Sequence, residues 1–134
     1  MLGAISETRD ALRCVGSGRD AVRLVSDIWL SRLLKICPAP WRNSVRELKL
    51  KTPDGVIPIS YRLNRGDLQS VREIFFAEAY RLPFNHRPRI LVDLGANIGL
   101  ASVWLSQTYG SEIVLAVEAD SENRGSNQEK LPEK

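Results

Sequence analysis

Ile90-Leu-Val-Asp-Leu-Gly-Ala-Asn-Ile-Gly-Leu100, followed by Ile113-Val-Leu-Ala-Val-Glu118, decides the fold. Ile90-Leu-Val and Ile113-Val-Leu-Ala-Val are continuous apolar runs, the pattern of parallel strands covered on both faces. Between them, Asn97 to Tyr109 has the length of a helix, with Leu100, Ala101, Val103, Trp104 and Leu105 as packing residues and Gly110 as its stop. Strand, turn, helix and strand make a βαβ unit whose crossover is expected to be right-handed. A ligand of such a unit sits at the carboxyl ends of the strands, here over the turn from Asp93 to Gly99.

Each residue type in that turn has a physical reason. Gly95 permits a tight turn and a close approach by a ligand, and Gly99 permits the helix to pack near the strand. The helix N-terminus offers free N–H groups. Asp93, ending the first strand, accepts from an ammonium group directly or through water. Glu118, ending the second, accepts the two hydroxyls of a ribose, the usual role of an acid about 20 residues past the glycines. A dinucleotide site wants glycine where Asp93 stands, because the pyrophosphate must come close and is negative. A carboxylate there repels phosphate and attracts the amino group or sulfonium of S-adenosylmethionine, which carries a ribose and positive charge but no phosphate.

Upstream of this unit the pattern changes. Residues 5 to 36 read as helix in two pieces, broken around Gly16-Ser17-Gly18. In the second piece Val22, Val25, Trp29, Leu33 and Ile36 form an apolar stripe, with Arg23, Asp27, Ser31 and Lys35 opposite. Pro38 and Pro40 end it. Residues 45 to 63 read as a β-hairpin turning at Thr52-Pro-Asp-Gly55, and Pro58 marks the return strand as an edge. Asp67 is an expected N-cap for a helix from Leu68 to about Tyr80, with Leu68, Val71, Phe75 and Ala79 inward. Pro83 and Pro88 bracket a loop. Three regions result: a helical lead over 1–40, a hairpin and helix over 41–88, and the βαβ unit over 89–134.

Charge and composition narrow the function. Residues 1–50 carry 9 basic and 5 acidic side chains, 51–88 carry 6 and 4, and 89–134 carry 4 and 7. The nucleotide-type motif therefore lies in the acidic third, which argues against nucleic acid, since phosphate backbones need a clustered basic face. Cys14 and Cys37 lack the companions of a zinc site or a disulfide framework and read as reduced thiols, and no metal site is expected. Arg23, Asp27, Arg32 and Lys35 interrupt the most apolar N-terminal stretch, so no membrane span is expected. Early charges, Glu7, Arg9, Asp10 and Arg13, leave no signal-peptide core, and the expected location is the cytoplasm. His86, in a Pro-flanked loop, reads as a solvated linker residue, while Trp29, Trp41 and Trp104 are expected to pack.

Val92-Asp-Leu-Gly-Ala-Asn-Ile-Gly99 together with Val117-Glu-Ala-Asp-Ser-Glu-Asn123 resembles the first and second motifs of the FkbM-like methyltransferases, a branch of the class I S-adenosylmethionine-dependent fold. Arg62-Leu-Asn-Arg-Gly-Asp67, Val71-Arg-Glu-Ile-Phe75 and Ala79-Tyr80 resemble the segment that precedes the fold in that family. The likeness covers about residues 45 to 124. It implies an α/β chain, a truncated class I methyltransferase (Rossmann-like) fold with N-terminal helices and a β-hairpin. It implies further that Asp93, Gly95, Asn97 and Gly99 surround the methionine end of S-adenosylmethionine, that Glu118 holds the ribose, and that Asp67 closes the pocket from the preceding segment. The implied reaction is O-methylation of a hydroxyl on a saccharide, lipid or other small molecule. Ala119 departs from the family's usual proline. In that fold the acceptor site and base follow the second strand, so the chain reads as an N-terminal fragment, expected to be inactive alone. Two other readings stay open at this point: a non-catalytic module whose amphipathic helix and open sheet edge bind a protein partner, and a fragment of a nicotinamide-dependent dehydrogenase, which Asp93 disfavours.

Overall fold

In the computed structural model, residues 2–33, 43–52, 55–83, 86–120 and 123 are described. Ile36, Lys35, Cys37, Pro38, Pro40 and Trp41 fall outside them. The chain mixes helices with two small sheets and divides into two compact units, Met1–Ala77 and Glu78–Lys134. The helical lead and the hairpin, read from sequence as separate regions, thus share one unit. None of the described helices is long and apolar enough to cross a membrane.

In the first unit, α1 (Leu2–Cys14) and α2 (Gly18–Leu33) are separated at the expected Gly-Ser-Gly break. The break is held rather than merely loose. Gly16 donates its N–H to the Lys49 carbonyl at 3.1 Å, and the Ser17 hydroxyl accepts from the Asp20 N–H at 3.2 Å, capping α2. β1 (Val45–Thr52) and β2 (Gly55–Arg62) pair antiparallel with Leu48 opposite Ile59 and Leu50 opposite Ile57. Those four residues and Tyr61 line the buried face, while Pro58 is exposed opposite Lys49. The strands pair as expected, with Pro58 on a ribbon of two strands among the described residues, while Pro53 and Asp54 of the expected turn fall outside them.

Two expectations in this unit are corrected. The buried stripe of α2 is Ala21, Leu24 and Ile28, whereas Val22 is 68 % and Trp29 48 % exposed. Asp27, expected on the polar side, is 5 % exposed and accepts a hydrogen bond from the Tyr61 hydroxyl at 2.7 Å. That bond, with the Arg46 Nε at 3.8 Å from the same carboxylate oxygen, holds α2 with Asp27 and the stripe of Ala21, Leu24 and Ile28 facing inward. The second correction is the cap of α3 (Arg65–Val71). The cap is Asn64, whose side-chain oxygen accepts the Asp67 N–H at 2.8 Å. α3 continues only through a π-helical turn, Arg72–Phe76, so that Ala79 and Tyr80 lie beyond the helix and are exposed. Leu68, Val71, Ile74 and Phe75 are its buried apolar residues. The Cys14 thiol donates to the Phe75 carbonyl oxygen, with Sγ 3.8 Å away, and this contact ties α1 to the π-turn.

The second unit contains β3 (Ile90–Leu94), α4 (Leu100–Tyr109) and β4 (Ile113–Val117). β3 and β4 are parallel, with Ile90 beside Ile113 and Leu94 beside Val117, as the two apolar runs require. Gly110 ends α4 in the left-handed region at φ +64°. Trp104 is 2 % exposed and packs edge-on against Tyr109 at a centroid distance of 6.2 Å, with the Arg81 guanidinium 5.7 Å from its ring centre. The Tyr109 hydroxyl also accepts the Leu82 N–H at 2.6 Å, fixing the segment that leads into β3.

The expectation that both sheet faces are covered is corrected. α4 covers the face holding Leu91, Asp93, Val114 and Ala116, all half-buried. On the other face Ile90, Val92, Leu94, Ile113, Leu115 and Val117 are 45 to 77 % exposed. Among the described residues a single crossover helix packs on this sheet, and one helix covers one face.

Candidate functional site

The turn after β3 is pinned to the end of β4 before any side chain contributes. Gly95 and Ala96 both donate their N–H groups to the Val117 carbonyl, at 2.8 and 3.0 Å, and Gly99 donates to the Ala96 carbonyl at 2.7 Å. Ala96 and Ile98 are buried, at 5 and 3 %, so the residues alternating with them, Gly95 and Asn97, are the less buried members of the turn. Three left-handed backbone positions make this path possible: Gly95 at φ +80°, Asn97 at +51° and Gly99 at +79°. Glycine adopts them without steric cost, and asparagine is among the side chains that tolerate them best.

A Cβ built on Gly95 would meet nothing within 4 Å, so the backbone there faces open space. Gly99, the buried residue before α4, holds a left-handed dihedral of φ +79° that glycine adopts without steric cost.

The two carboxylates stand at the carboxyl ends of neighbouring strands. Glu118 Oε2 accepts the Asn97 backbone N–H at 2.6 Å, and its Oε1 accepts the Asp120 N–H at 2.8 Å. Each oxygen thus takes one backbone bond, and a carboxylate oxygen has room for a second donor. Asp93 faces α4 and its Oδ2 accepts the Ser102 hydroxyl at 2.6 Å. Ser102 is 2 % exposed on an otherwise apolar stretch of helix. Sequence reasoning passed over it; a lone serine flanked by Leu100, Ala101, Val103 and Trp104 was its only signal.

Five of the six residues singled out from the sequence therefore meet in one place: Asp93, Gly95, Asn97, Gly99 and Glu118. Asp67 belongs to the first unit and is 2 % exposed. It accepts from the Arg62 backbone N–H at 2.8 Å and from that residue's guanidinium Nε and Nη2, each at 3.0 Å. This two-pronged ion pair locks the corner between β2 and α3.

The chain matches no family model, no curated protein and no solved structure.

Among the described residues no group of three His, Cys, Asp or Glu side chains stands close enough to hold a metal ion. The chemistry available at this turn is that of hydrogen-bond acceptors, a carboxylate charge and an uncrowded backbone. His86 is exposed in the loop before β3, as read from the sequence.

Proposed function

We propose that the second unit is the methyl-donor site of an FkbM-like S-adenosylmethionine-dependent O-methyltransferase, whose acceptor is a hydroxyl on a saccharide, lipid or other small molecule. The observation that carries this reading is Glu118, fixed at the end of β4 by Asn97 and Asp120 with acceptor capacity left on both carboxylate oxygens. A vicinal diol presents two donors at that spacing, and ribose is the diol a strand-end acid of this kind holds.

The other residues fit the same ligand. Open space in front of Gly95 admits a group close to the backbone. Asp93, with Ser102 steadying one oxygen, places negative charge beneath the turn, which favours a cationic ligand over a phosphate. S-adenosylmethionine when bound supplies an electrophilic methyl group. The chain's part is to orient that group by holding the ribose and the methionine end at fixed positions, since transfer depends on alignment of nucleophile and methyl carbon.

Calorimetric titration with S-adenosylhomocysteine tests the reading. Saturable heat that is lost in Glu118→Ala, with the melting transition retained, is the expected result. Equal binding by Glu118→Ala, or a preference for NAD, refutes it.

A further inference from the structure

The methyl-donor reading gives no task to the uncovered face of the β3–β4 sheet. Alternate residues of a strand point the same way, so Ile90, Val92 and Leu94 stand in register beside Ile113, Leu115 and Val117 as three aliphatic rungs. All six side chains are 45 to 77 % exposed, and none of the six positions carries a charge or a hydrogen-bonding side chain. The polar groups of these strands lie elsewhere. Asp93 turns toward α4 and accepts from Ser102, and Arg89 pairs with Glu112 at 3.0 Å one residue before the first rung.

Size and chemistry both restrict what can cover this face. Six aliphatic side chains at that exposure present on the order of 600 Å², the upper end of what monomers leave open. Two such faces seated on each other remove about 1,200 Å² from water, which reaches the range of stable protein interfaces. A partner recognised by charge finds nothing to engage, so the occupant must be apolar and flat over three rungs. The same face of a second copy meets both conditions, because its rungs have the same spacing and no charge loses water when the two meet.

The described residues offer no second patch of this kind. On the helices and the hairpin the large exposed apolar side chains have charged neighbours, as Val22 has Arg23, Val45 has Arg46 and Val56 has Lys51 across the ribbon. A contact between unlike patches, which would build open chains of molecules, therefore has no counterpart to use. A like-to-like contact closes at two.

We propose that the chain forms a two-fold dimer through this face, the two sheets stacked as a sandwich about 10 Å apart. The middle rung, Val92 and Leu115, lies at the centre, since a two-fold axis through the patch sets that rung against its own counterpart. The dimer stands independently of the methyl-donor reading.

Sedimentation velocity of the full chain over a concentration series tests it. Wild type is expected to pass from monomer to dimer and no further. Leu115→Lys and Leu115→Glu each bring like charges together at the centre and are expected to weaken the dimer at least about a hundredfold. An equimolar mixture of the two is expected to restore it, a rescue that misfolded chains cannot give. Val22→Lys, at a 68 % exposed position of α2, is expected to associate as wild type does, and so is Glu118→Ala. A monomer at every concentration, as when another part of the chain or a different partner covers the face, overturns the proposal. Assemblies that grow beyond two, undiminished association of Leu115→Lys, or a mixture that stays monomeric overturn it equally.

Discussion

The Tyr61 hydroxyl donates to Asp27 Oδ2 at 2.7 Å across 34 positions of sequence, with both residues buried. A helix residue and a strand residue are thereby locked face to face. Burial, then the bond to Asp27 and that residue's negative charge, push the phenol well above its ordinary value of 10.0. The native state therefore keeps this proton where the unfolded chain gives it up. Stability from the phenol is complete below pH 10 and falls as pH rises beyond it. Chemical denaturation of wild type and Tyr61→Phe against pH is expected to show the alkaline loss in wild type and a smaller one in the variant. At neutral pH the variant is expected to be about 1–3 kcal/mol less stable, because Asp27 is left buried without its donor.

Asn97 tests how far the turn depends on its dihedral angle. At φ +51° an alanine is strained and a glycine is not. Asn97→Ala is expected to cost about 1 kcal/mol or more and Asn97→Gly about nothing, measured by urea denaturation, with binding of S-adenosylhomocysteine lost in step with the first. The Glu118 bond to the Asn97 N–H survives in both variants, so equal effects would show that the side chain rather than the backbone matters.

The two faces of the β3–β4 sheet are expected to answer differently to substitution. Trp104→Ala, on the covered side, removes a 2 % exposed ring and is expected to cost about 3–5 kcal/mol. Leu94→Ser, at 77 % exposure, is expected to change stability by no more than about 0.5 kcal/mol. It is also expected to reduce concentration-dependent association in sedimentation velocity, since contiguous apolar patches of this kind favour self-contact.

Asn64→Ala removes the oxygen that accepts the Asp67 N–H and is expected to cost about 1 kcal/mol. Because the same Asp67 carries the Arg62 ion pair, Asp67→Asn is expected to be more damaging than the cap variant. The order of the two denaturation midpoints decides whether the corner is held mainly by the cap or by the ion pair.

The strands of the second unit were legible because continuous apolar runs have few alternatives, and the turn was legible because glycines and strand-end acids recur at a fixed separation. The face of α2 was not. Val22, Val25 and Trp29 satisfy helical spacing as well as Ala21, Leu24 and Ile28 do, so periodicity alone does not choose between the two stripes. A tertiary bond, Tyr61 to Asp27, goes with the second stripe facing inward. Likewise Asn64 and Asp67 are both good caps by type, and Arg62 decides between them by claiming Asp67. The open sheet face was illegible for a different reason: an apolar run records a preference for burial, and what supplies the burial lies elsewhere. In the candidate site, Ser102 carried no pattern of its own and became meaningful only through Asp93.

The closure of the first unit by Cys14 and Phe75 has a kinetic side. Those residues are 61 positions apart, whereas the bond from Asn97 to Glu118 spans 21 and β4 follows β3 after a single helix. Chain segments that pair over short separations meet sooner, because less loop entropy is lost before contacts form. During synthesis every element of the first unit, through the π-turn at Arg72–Phe76, is made before β3 begins, so the longer closure of that unit waits on no part of the β3–α4–β4 segment. The unit with the costlier loop closure is thus also the one given the longer time to achieve it.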